Sequence, residues 1–254
     1  ASNLRRARAA AGAIVSYLPC GTGVCPVTVE RDGKVGTVGV DGTLVVDNSA
    51  DCSFNGFFRD NDGGSSTKVN LVKEGSGKLT FAVNPAQGNV SRINYTGTTT
   101  INGGTLSLVD LGVGSRFNSP IAVNAGGTLE INSAISFATR WLYYPTISGA
   151  GTVNKIGTGA FQFSGPVALT GTVNVQAGRL GSDNLTSDYS ANTADVNLSA
   201  GAELDLRGQG MTWGGLNGSG NVINSFGHDG MEVLTVGAAG EFHDALLCPD
   251  CLPT

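Results

Sequence analysis

Residues 147–180 read ISGAGTVNKIGTGAFQFSGPVALTGTVNVQAGRL, and the reading of this stretch decides the fold. Apolar and polar residues alternate in short runs: Thr152-Val153-Asn154, Phe161-Gln162-Phe163 and Val173-Asn174-Val175. Glycine-rich corners separate the runs. A period of two with a turn signal every few residues is strand patterning.

Outward from this stretch the same grammar recurs. Residues 71–81 (LVKEGSGKLTF) align with 153–163 (VNKIGTGAFQF), which pairs Lys73 with Lys155, Gly75 with Gly157, Gly77 with Gly159 and Phe81 with Phe163. Each segment is followed by Thr-Gly-Thr, at 96–98 and 170–172, then by a β run, then by Gly-x-Leu at 104–106 and 178–180. Residues 124–131 align with 199–206, and 147–153 with 216–222. A unit of strand and corner cannot bury its apolar side alone, whereas stacked copies bury it together. With rungs of about 20–25 residues, the chain holds about ten coils. At ~4.8 Å per rung these form a rod about 50 Å long. A β-sandwich also has many short strands, but it predicts no self-similarity. The layout expected is an N-terminal helix or cap over 1–25, a solenoid over 26–237 and a C-terminal cap or tail over 238–254.

Composition agrees with an all-β solenoid. There are 39 glycines without a three-residue period, which excludes collagen, and enough Val, Leu, Ile and Phe for a core. Only 14% of residues are charged, as stacked rungs require, because like charges in register repel. The 15 Lys and Arg against 20 Asp and Glu leave no basic stripe, which argues against nucleic acid. No apolar run reaches the ~20 residues of a membrane span. At the start, Arg5, Arg6 and Arg8 precede an Ala-rich segment in which Leu4, Ala7, Ala11, Ile14, Val15 and Leu18 recur at near-helical spacing. That spacing predicts an amphipathic helix ending at Pro19, with leftover leader as the other reading. Residues 34–48 read as a strand pair with an Asp-Gly turn. Residues 49–66 read as a long loop or a distorted turn of the repeat.

The segments 148–180 and, more loosely, 71–108 resemble the passenger-associated β-strand repeat of autotransporter proteins. That repeat runs K-x-G-x-G-x-L-x-L-x-G, then T-G-x-T-x-V-x-x-G-x-L. The resemblance implies a right-handed parallel β-helix, exported by a bacterium and displayed outside the cell or on its surface. The family's repeats are scaffold and bring no catalytic residue, cofactor or metal ligand with them.

Candidate sites therefore lie where the chain departs from the repeat. Of the five cysteines, Cys20 with Cys25 and Cys248 with Cys251 are read as disulfides near each end, which leaves Cys52 over. A redox pair or a zinc site from the four terminal cysteines is the alternative, as is pairing between subunits. His228 and His243 have no ligand-spaced partner, and His243 with Glu241 and Asp244 reads as exposed cap residues. A polysaccharide-active enzyme would need clustered carboxylates; the best candidates are Glu203, Asp205 and Arg207, which alternation puts on one solvent-facing side of a strand. Trp141, Tyr143 and Tyr144 are read either as a glycan or subunit contact or as corner filling. Arg5, Arg6 and Arg8 stand at one end, while Asp229, Glu232, Glu241, Asp244 and Asp250 stand at the other, where no Lys or Arg follows Arg207. Opposite charge at two open ends favours head-to-tail self-association into a filament. The expectation is a non-enzymatic exported surface protein that stacks into a fibre. An adhesin binding a glycan or host surface is the alternative, and an enzyme is the third.

Overall fold

The computed structural model describes residues 6–7, 13–16, 28–31, 42–54, 58–60, 68–82, 93–111, 117–139, 141–182, 186–207, 209–225 and 233–237. Among these the fold is a parallel β-solenoid with three lines of strands, and the chain visits the lines in turn.

The first line is a six-stranded sheet running from Gly42–Asp47 through Val69–Glu74, Thr99–Ile101, Ile121–Val123 and Ile147–Gly149 to Val167–Leu169. The second is an eight-stranded sheet from Cys52–Phe54 to Gly215–Gly218. The third is a five-stranded sheet of Trp141–Tyr143, Ala160–Phe163, Arg179–Ser182, Glu203–Asp205 and Asn221–Ile223. All the pairings in these three sheets are parallel.

Register along the second sheet counts the rungs. Cys52 pairs with Leu79, then the file continues through Leu106, Leu129, Val153, Val173 and Val196 to Leu216. That makes seven steps rather than ten. The shortest steps take 20 residues, from Val153 to Val173 and from Val196 to Leu216, and the longest take 27, from Cys52 to Leu79 and from Leu79 to Leu106. The early rungs are the longer ones, with ten residues between the strands Lys78–Ala82 and Ile93–Asn94.

Inward positions follow the alternation. Leu79, Leu106, Leu129, Val153, Val173 and Val196 are all buried, and full burial of such a side chain is worth about 1.5–3 kcal/mol. An aromatic ladder rises through the interior: Phe58, Tyr95, Phe117, Tyr143 and Phe161, with successive ring centroids 4.6, 5.5, 6.2 and 6.1 Å apart. The polar end of Tyr95 is satisfied inside, on the Thr99 hydroxyl, which in turn meets Ser119 at 2.6 Å. On the outer side of the second sheet, the amides of Asn154, Asn174 and Asn197 form a ladder, with Nδ2–Oδ1 distances of 2.9 and 2.8 Å.

The expected N-terminal helix is not seen: among the described residues there is no helix. Within 4–18 the described parts are strands, Arg6–Ala7 and Ala13–Ser16, which join Thr28–Arg31 in an antiparallel sheet. Ile14 and Val15 are β-branched, and their stiff χ1 favours a strand over a helix. Within 49–66 the described parts, 49–54 and 58–60, hold the strands Cys52–Phe54 and Phe58–Arg59, with Phe54 and Phe58 in the core, which agrees with a turn of the repeat rather than a loop. Among the described residues, the first strand of the solenoid is Gly42–Asp47, which pairs with Val69–Glu74.

The aligned segments do not occupy equivalent places. Val69–Glu74 is on the first line, but its counterpart Thr152–Ile156 is on the second. Residues 127–132 are on the second line and their counterpart Glu203–Asp205 on the third. Residues 147–149 lie on the first line and 216–218 on the second. Each match is displaced by one side of the coil. The repeat therefore encodes a corner between strands, and any corner of the coil can use it.

Candidate functional site

The corner built by Lys-x-Gly-x-Gly is the most specific local structure in the chain. Lys155 sits on an inward position of its strand and is buried. Its ammonium turns into the corner and donates to the carbonyls of Ile156 at 2.9 Å, Gly157 at 2.9 Å and Ala177 at 3.1 Å. Lys73 does the same at its own corner, donating to the carbonyls of Glu74, Gly75 at 3.0 Å and Gly103 at 3.2 Å. In each case the third carbonyl belongs to the next rung. Gly75 and Gly157 turn the chain with φ of 69° and 76°, which L side chains rarely adopt. Burial lowers both amines, Lys155 to about 8. Three carbonyls on each ammonium offset part of that desolvation, and the lysines act as structural ties between rungs.

The charged candidates Glu203, Asp205 and Arg207 are brought together, but not on an open face. Asp205 is fully buried and Arg207 nearly so. Arg179, one rung earlier, supplies the countercharge: its Nε lies 2.7 Å from Glu203 and its Nη1 3.1 Å from Asp205. Asp205 also accepts from the Ser225 amide at 3.0 Å, the Ser225 hydroxyl at 2.6 Å and the Arg207 amide at 3.3 Å. The guanidinium carbons of Arg179 and Arg207 lie 4.1 and 4.9 Å from the centre of the Phe137 ring. Alternation had placed the three residues toward solvent; Asp205 and Arg207 are instead buried, and Glu203 stays half-exposed. A carboxylate committed to donors on both oxygens is a clasp between rungs, with no lone pair turned toward a reacting group.

The aromatic candidates separate. Trp141 is 1% exposed and Tyr143 2%, both pointing into the coil, while Tyr144 is 41% exposed. The Tyr143 hydroxyl donates to the Ser119 carbonyl at 2.7 Å. Strand alternation over Trp141–Tyr143 decides this, and it removes Trp141 and Tyr143 as surfaces for a sugar ring.

Cys52 is a half-buried free thiol on the first strand of the second sheet, and burial raises its pKa. Cys20, Cys25, Cys248 and Cys251 lie outside the described residues, as do His228, His243, Arg5, Arg8, Asp229, Glu232, Glu241, Asp244 and Asp250. Arg6 is described only as part of a strand. Among the described residues no three His, Cys, Asp or Glu side chains converge as metal ligands, and no helix is long and apolar enough to cross a membrane.

A groove of about 530 Å³ runs along the edge between the second and third lines of strands. Four successive corners line it: the turn carrying Ala134 and Phe137, then residues 158–160, 176–179 and 200–203. Most of the lining is small residues, and Phe137, Arg179 and Glu203 are among its larger side chains. Sequence reading missed both the groove and the lysine ties. The signal for the ties was present in the repeated Lys-x-Gly-x-Gly. The groove had none, because its walls come from four different rungs.

The model of the passenger-associated-transport repeat matches residues 71–108 and 153–180, the two stretches that hold the lysine corners. Repeat and parallel solenoid together have the character of an autotransporter passenger domain, a class carried to the cell surface or beyond it. No curated protein and no solved structure gives a significant match.

Proposed function

We propose that the chain is a non-enzymatic passenger solenoid, displayed outside a bacterial cell as a structural surface protein whose units stack head to tail. The observation that carries the first part is the pair of matched repeats, each of which forms a lysine-tied corner. The stacking is supported by the architecture and by charge. A parallel solenoid repeats one rung-on-rung contact along its axis, and an incomplete end offers the same contact to another copy. Arg5, Arg6 and Arg8 precede the solenoid, and five acidic residues without a Lys or Arg follow Arg207. Protease added to intact cells should degrade the protein without lysis, and negative-stain images of purified chain should show filaments that shorten at high salt. A protein protected inside intact cells sinks the export reading. A monodisperse monomer under all conditions sinks the stacking.

A further inference from the structure

We infer that the groove along the second corner of the coil binds a neutral oligosaccharide lying parallel to the solenoid axis. The inference uses the geometry of the corner and stands whether or not the units stack.

The length of the groove suits an extended ligand. Its lining comes from four rungs, and at ~4.8 Å between rungs this is a trough about 14 Å long, the length of a short oligosaccharide. The fold itself keeps the floor low. These corners need small residues because each packs on the backbone of the corner below: a side chain at Gly159 would meet the Ile135 carbonyl at 2.4 Å. Ala177 continues the floor one rung further on. Phe137, Arg179 and Glu203 line the groove as one contiguous group, the Arg179 guanidinium lying 4.1 Å from the Phe137 ring centre and 2.7 Å from Glu203.

The chemistry of the lining selects the ligand class. Thr158 and Gln176 offer a hydroxyl and an amide. Arg179 and Glu203 are joined at 2.7 Å, and their side chains are 21% and 31% exposed. The pair puts a donor face beside an acceptor face with no net charge, the arrangement that a vicinal diol answers with one hydroxyl accepting and the next donating. Arg179 is the one cation among the described residues of the lining, and Glu203 and Asp205 already hold it, which disfavours a phosphate or uronate. Phe137 is the one large apolar side chain in the lining, too little for a lipid tail. Concave sites with a few placed polar groups are the usual form of small-ligand sites.

The test uses the full chain on an array of neutral tri- to hexasaccharides of glucose, galactose, mannose and N-acetylglucosamine, with uronate oligosaccharides beside them. Any hit is then measured by calorimetry. Retention of at least one neutral oligosaccharide is expected, with binding weakened by at least about tenfold in Ala177→Trp, which fills the floor. Thr158→Trp fills the same groove from the neighbouring rung and serves if Ala177→Trp does not fold. Overturning results are no neutral oligosaccharide retained, preference for uronates, or equal binding by a folded, filled variant.

Discussion

Lys155 donates from its ammonium to the carbonyl oxygen of Ala177, 22 residues ahead and one rung on, at 3.1 Å. Lys73 and the Gly103 carbonyl, 30 residues apart, repeat the relationship at 3.2 Å. Each lysine thus joins the corner it belongs to with the corner stacked upon it. A buried ammonium is stabilising only while its donors are used, and removal of the lysine leaves buried carbonyls without that partner. Lys155→Met should lower the free energy of unfolding by about 2–4 kcal/mol, read as a lower urea midpoint by circular dichroism. An unchanged midpoint would mean that the tie makes no net contribution.

The same lysine gives the solenoid a pH dependence with a definite sign. Burial holds its folded pKa near 8, against an ordinary 10.5. Between those values the unfolded chain keeps a proton that the folded chain has released, so stability rises with pH. Below about pH 8 both states are charged and the cost of burying the ammonium is present in full. The stability of the wild type relative to Lys155→Met should therefore increase from pH 8 to pH 10, as other titrating groups cancel in the difference. Urea midpoints of both proteins at pH 7, 8.5 and 10 decide it, and a difference that stays flat or shrinks refutes the sign.

Two corner glycines separate steric clash from backbone strain. Gly178 has φ of 67°, and a side chain there would lie 2.3 Å from the Gly159 carbonyl oxygen of the rung below. Gly201 has φ of 79°, with nothing within 4 Å of the same position. Gly201→Ala should cost only the left-handed backbone, about 1–2 kcal/mol. Gly178→Ala adds the clash and should cost clearly more. Thermal unfolding of the two variants orders them, and equal losses would show that rung spacing yields to an added methyl group.

Much of this was legible in residues 147–180. Val153, Phe161, Phe163, Val173 and Val175 all point inward as their alternation implies. The phase was not legible. From Leu71 to Val153 the chain climbs three rungs and also moves one side around the coil. The count of about ten coils divided the whole chain by a rung of about 20–25 residues, whereas the first two steps of the second sheet take 27 residues each. The same phase shift hid the site. Asp205 and Arg207 look solvent-facing within their own strand, yet Arg179 from the rung before and Ser225 from the rung after enclose Asp205. Lys155 looks like a surface residue by type, and only its inward position between Val153 and Gly157 marks it as buried.

Gln162 tests whether any polar group on the third line of strands remains uncompensated. It is 1% exposed, and neither its amide nitrogen nor its amide oxygen has a hydrogen-bond partner. Its strand neighbours in register are Leu142 and Gly181, which offer no polar side-chain atom. A buried amide without partners carries its desolvation cost alone, about 1–3 kcal/mol. Methionine matches glutamine in length and flexibility and has no such cost. Gln162→Met should therefore stabilise the solenoid by about 1–2 kcal/mol, seen as a higher urea midpoint with an unchanged slope, while Gln162→Ala should gain less because it opens a void. If Gln162→Met instead destabilises the protein by a similar amount, the amide is bonded in solution and the cluster around Asp205 extends to it.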